Sequence, residues 1–156
     1  MKTILFVCTG NVCRSPMAMG FLREKLRKAG LEGEYRVHSA GVWGLESQSP
    51  ATYACEMMAK RGIDISDHRG HDLTPEDVEE AALILTMERG QAEAISLEFP
   101  QHAHKVHLLS EMAGRHYDIH DPYGGPLDEY RQCAAEIEGL IEEGYPRIMH
   151  LVGQVG

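Results

Sequence analysis

The chain has 156 residues, 43% of them apolar and 25% charged, with a formal net charge of −9. This length suits one domain with a buried core, read as residues 1–156. The acidic balance excludes the basic face that a nucleic-acid partner or an anionic membrane surface requires, so any anionic ligand must be held by a local positive site.

The first apolar run, residues 2–7, reads as a short strand buried on both faces. It is too short for a secretory core, and Gly10-Asn11 interrupts it; nothing in the chain approaches the roughly 18 apolar residues of a membrane span. The four cysteines (Cys8, Cys13, Cys55 and Cys133) are accordingly read as reduced thiols of a cytoplasmic protein. Pro16 fits the first turn of a helix reaching about Lys28 and closed by Gly30, with Met17, Phe21, Leu22 and Leu26 on one face. Residues 35–40 read as a second strand ended by Gly41, and residues 51–60 as a helix opened by Pro50 and ended by Gly62.

Thr74 is the expected N-cap of a helix that precedes a third buried strand, residues 81–87. A helix over 91–98 and a strand over 105–109 follow. Residues 110–126 read as irregular and lead into a last helix from 127 to about 143, which Pro146 is expected to break. Strands that alternate with helices predict an α/β fold with a parallel sheet and right-handed crossovers. In such sheets ligands bind beyond the carboxyl ends of the strands, and Cys8 stands there for the first strand.

The stretch Cys8-Thr9-Gly10-Asn11-Val12-Cys13-Arg14-Ser15-Pro16 is a strand end, a small polar loop and a helix start. The N–H groups of residues 9–14 can converge on one anion, assisted by the positive end of the helix dipole. Gly10 and Asn11 tolerate the positive φ that such a loop demands. Arg14 adds a planar fork for two phosphate oxygens. The same amides and dipole stabilise a thiolate at Cys8, aligned on the phosphorus of a bound phosphate. Ser15 can donate to that thiolate and assist its departure. The leaving group still needs a proton, and Asp121, held by Pro122, Gly124 and Gly125, is the candidate acid for the first step and base for the second.

These residues, with Asp121-Pro122-Tyr123 far downstream, resemble the low-molecular-weight protein tyrosine phosphatase family, and the likeness runs through nearly the whole chain. The resemblance implies a three-layer sandwich around four parallel strands in the order 2-1-3-4. It implies Cys8 as nucleophile, Arg14 as phosphate clamp and Asp121 as general acid and base, working without cofactor or metal. It further implies that Asn11, Ser15, Ser39 and His68 form a network that shapes the loop. Cys13 either packs or, as in relatives, forms a reversible disulfide with Cys8 under oxidation.

Three substrate readings follow. A deep cleft with aromatic walls suits a phenyl phosphate, and Trp43 and Tyr123 are the candidate walls; the partner is then a phosphorylated protein, with inorganic phosphate or another oxyanion as inhibitor. Val12 stands where tyrosine-selective members usually carry isoleucine. Arginine phosphatases of the same fold typically carry threonine there, and valine lacks that hydroxyl. Gly124 stands where many tyrosine phosphatases have a second aromatic. A thiol-linked arsenate reductase would need further cysteines after the third strand, and residues 87–101 contain none. The histidines at 102, 104 and 107 have no carboxylate or cysteine in matching register, which argues against a metal site.

Overall fold

A computed structural model describes residues 1–153 of the chain. The strands are β1 (Lys2–Cys8), β2 (Tyr35–Gly41), β3 (Ala81–Thr86) and β4 (Val106–Leu108). The helices are α1 (Arg14–Lys28), α2 (Thr52–Ala59), α3 (Pro75–Glu80), α4 (Arg89–Glu98), α5 (Leu109–Met112) and α6 (Leu127–Gly153), and a 3₁₀ turn (Pro100–Lys105) precedes β4. All strand pairs are parallel, in the order β2-β1-β3-β4.

Side chains of a strand alternate between faces, and β1 shows how that alternation builds two cores. Ile4, Phe6 and Cys8 join a large apolar cluster with α1, α2, α5 and α6. Leu5 and Val7 point the other way, into a smaller cluster with Val78 of α3 and Ile95 of α4. The result is a three-layer sandwich, with the central strand β1 delivering Cys8 to the rim of the larger core. Among the described residues, no helix is long and apolar enough to cross a membrane.

Thr74 caps α3 as the sequence predicts: its side chain accepts from the Asp77 N–H (3.2 Å) and Asp77 accepts from the Thr74 N–H (2.9 Å), a reciprocal capping box. Two expectations need correction. The stretch 110–126 is not wholly irregular, since α5 forms over Leu109–Met112 and buries Leu109 and Met112 against α6. Pro146 does not break the last helix, which continues to Gly153. The apolar face persists past the proline, with Ile148 and Val152 fully buried, and this burial outweighs the lost backbone hydrogen bond.

Candidate active site

The loop between Cys8 and Arg14 is held from outside. Its carbonyls at Cys8, Thr9, Gly10 and Val12 accept the N–H groups of Val42, Trp43, Leu45 and Ala51, at 2.9–3.0 Å. In a trans peptide the N–H points opposite to the C=O, so these contacts turn the loop amides inward. The Asn11 N–H accordingly lands on Cys8 Sγ at 3.3 Å.

Asn11 is fully buried at φ +61°, a left-handed conformation that asparagine tolerates better than most residues. Its side chain is the hub of the expected network. Nδ2 donates to Ser15 Oγ (2.8 Å) and Ser39 Oγ (2.9 Å), while Oδ1 accepts from the His71 backbone N–H (2.9 Å). His68 Nε2 donates to the Asn11 carbonyl at 2.9 Å, and burial holds the His68 pKa below the usual imidazole value. Ser15 Oγ, already accepting from Asn11, lies 2.9 Å from Cys8 Sγ, so its own proton is available to the sulfur. All four network residues are thus brought together around Cys8.

Arg14 is 1% exposed, and its two edges differ. Nη1 is fixed, donating to Glu88 Oε2 (2.6 Å) and to the Ile119 carbonyl (2.7 Å). Nη2 makes looser contacts, 3.4 Å each to Thr9 Oγ1 and Asp121 Oδ2, and Nε is buried without a partner among the described residues. A buried charged N–H left unpaired is costly, so the Nε–Nη2 edge is a fork suited to an anion. Burial opposes the charge, but Cys8, Asp121 and Glu88 together raise the Arg14 pKa.

Above Cys8 opens a cavity of about 230 Å³, lined by the loop from Cys8 to Cys13 together with Trp43, Leu45, Asp121 and Tyr123. Trp43 is 80% exposed and Tyr123 59% exposed, so both stand at the rim. Asp121 Oδ1 accepts from the Tyr123 N–H at 3.1 Å, which holds the carboxylate at the mouth. The Trp43–Leu45 wall is locked to the segment beneath it. Gly44 N donates to Asp72 Oδ1 and Asp72 N to Glu46 Oε1, and a β-carbon at Gly70 would collide with the Leu45 carbonyl.

Of the remaining cysteines, only Cys13 lines the cavity. Cys13 lies 3.4 Å from Tyr130 Oη, with its thiol pushed up to about 12 by burial. Cys55 is half-buried and Cys133 is buried in the large core; all four cysteines are free thiols. His102 and His104 fall on the 3₁₀ turn, and His107 on β4 faces Glu111 at 3.8 Å.

Four participants escape the sequence reading. Glu88 anchors Arg14, and Gln91 Nε2 donates to Thr9 Oγ1 (3.1 Å) while its Oε1 accepts from the Met87 and Glu88 N–H groups. Leu45 completes the wall, and Tyr130 underlies Cys13. Glu88 had a usable signal: it follows the carboxyl end of β3, where ligand sites of parallel sheets collect.

Known proteins resemble the chain along nearly its whole length. The family described as low molecular weight phosphotyrosine protein phosphatase matches residues 3–148. A probable low molecular weight protein-tyrosine-phosphatase, EpsP of Ralstonia nicotianae, is 39% identical over 97% of this chain and 99% of its own length. A protein-arginine-phosphatase of Geobacillus stearothermophilus is also 39% identical, over 89% of this chain and 90% of its own. The crystal structure of a low molecular weight protein tyrosine phosphatase from T. tengcongensis superposes with a TM-score of 0.88 at 38% identity, covering 94% of this chain and 99% of that one. By class, then, the protein is a phosphatase, a phosphoric monoester hydrolase. Within that class the chain belongs to the low molecular weight phosphotyrosine protein phosphatase family.

Proposed function

We propose that the protein hydrolyses phosphotyrosine in protein substrates through a phosphocysteine at Cys8. A phosphate docks on the loop amides and on the Nε–Nη2 edge of Arg14. Cys8 Sγ attacks phosphorus, the S–P bond forms, and the P–O bond to the aryl oxygen breaks as Asp121 supplies that oxygen with a proton. Water then attacks phosphorus and gives a proton to Asp121, while the S–P bond breaks and returns the thiolate, supported by Ser15 and the Asn11 N–H. The buried, unpartnered Nε of Arg14, a side chain whose charge Cys8 favours, carries this reading most directly, because its Nε–Nη2 edge suits a doubly hydrogen-bonded anion.

The choice of tyrosine rests on the pocket walls. Val12, Trp43, Leu45 and Tyr123 offer apolar and aromatic surface to a phenyl ring, and the Val12 side chain has no hydroxyl to address a guanidinium. Arginine phosphatase is the second reading, favoured by a relative of equal identity that acts on phosphoarginine by its name. Phosphotyrosine and phosphoarginine peptides of one sequence separate the two. The expected result is a higher kcat/KM for phosphotyrosine, with Val12→Thr moving the ratio toward phosphoarginine. A native preference for phosphoarginine would overturn the choice.

A further inference from the structure

Tyr130 lies in the first turn of α6 and is 3% exposed, so its hydroxyl is buried with its ring. A buried hydroxyl without partners is costly, so the groups it meets define its use. Oη lies 3.4 Å from Sγ of Cys13, the loop residue just before Arg14. Asp121 lies six residues before α6 begins, and Gly124 falls in the turn between them. Gly124 sits at φ +79°, a left-handed turn that a side chain would strain. One helical turn further along α6, Cys133 Sγ reaches the His120 carbonyl at 3.9 Å. The helix therefore holds the Asp121 segment at His120 while its first turn meets the phosphate loop at Cys13.

The phenol is suited to this junction. Its ring is seated edge-on against Tyr53, with centroids 5.5 Å apart at 75°, which fixes where the hydroxyl lies. Burial pushes its pKa up, so it stays a neutral group able both to donate and to accept. Asp121 itself holds few restraints, namely the Tyr123 N–H and the 3.4 Å contact to Arg14, and its side chain is 40% exposed.

We propose that Tyr130 is a positioning residue: its hydroxyl ties helix α6, and with it the segment that carries Asp121, to the phosphate loop at Cys13, and so sets the distance from the acid to the leaving oxygen. Misplacement by about 1 Å is enough to cost two orders of magnitude in rate. The inference rests on the acid role given to Asp121 above. It assigns no chemistry to Tyr130, which touches neither substrate nor phosphorus.

The test is kcat/KM for a series of aryl phosphates of rising leaving-group pKa, measured for the wild type, Tyr130→Phe, Asp121→Asn and the double variant, with vanadate affinity alongside. Phenylalanine keeps the ring on Tyr53, and an unchanged vanadate affinity reports an intact phosphate loop. Tyr130→Phe is expected to lose about tenfold on poor leaving groups and little on good ones, a fraction of the roughly 10²–10⁴ that a general acid contributes. In the Asp121→Asn background, removing the hydroxyl is expected to add less than about twofold, since the acid it positions is gone. Equal losses on every leaving group, losses that multiply in the double variant, or weakened vanadate binding would each overturn the role of Tyr130. A flat series for Asp121→Asn would instead overturn the acid role of Asp121.

Discussion

Arg14 shows how one residue can be both scaffold and ligand. Its Nη1 end is anchored by Glu88 and by the Ile119 carbonyl, which leaves the Nε–Nη2 edge, with only loose contacts at Nη2, oriented in advance for an anion. Lysine could supply the charge but not two parallel donors on an anchored plane. Asn11 is the counterpart in the loop, since one side chain joins Ser15, Ser39 and the His71 backbone while its own backbone takes the positive φ. These residues were legible because their types are rare choices for bland positions: a cysteine at a strand end, an asparagine in a tight loop, an arginine at a helix start. Glu88 and Gln91 were harder to read, although Glu88 follows the carboxyl end of β3. A carboxylate and an amide at the start of α4 read as ordinary surface, and only the fold carries them to Arg14 and Thr9.

At the scale of elements, β1 followed by α1 is written in local chemistry, and so is the Thr74 cap of α3. The last helix is different. Pro146 is a strong local stop, yet α6 runs from Leu127 to Gly153 because Ile148 and Val152 remain on its buried face. Local sequence cannot weigh a missing hydrogen bond against apolar area that only the assembled core provides. The balance predicts that Pro146→Ala, at an exposed position, raises stability by about 1–3 kcal/mol, read as a higher urea midpoint at an unchanged slope. A lower midpoint would mean that the proline is accommodated without cost. The α5 turn was hidden for a related reason, since four residues give too short a pattern to show periodicity.

At the scale of the whole molecule, a chain of net charge −9 gathers its donors for an anion at one end of the sheet. The network behind the loop adds a pH dependence. His68 has an ordinary value of 6.5 when unfolded and a lower one when folded, mainly through burial. Below pH 6.5 the unfolded chain therefore binds more protons at this site than the folded one. The His68 contribution is fully present above pH 6.5 and is lost as pH falls through the window below it. Urea midpoints should fall between about pH 7.5 and about pH 5.5, and His68→Gln, which can still donate to the Asn11 carbonyl but does not titrate, should flatten that fall. A midpoint that rises on acidification, or an equal fall in the variant, would contradict this account.

In the proposed route the phosphoryl group passes through the Cys8 sulfur. The most direct measurement is rapid acid quench of the wild-type enzyme during turnover of an aryl phosphate, followed by peptide mass analysis. One phosphoryl group is expected on the peptide holding Cys8, present during turnover and absent once substrate is exhausted. Turnover at full rate in Cys8→Ser, or phosphate found on any other residue in its place, would contradict it.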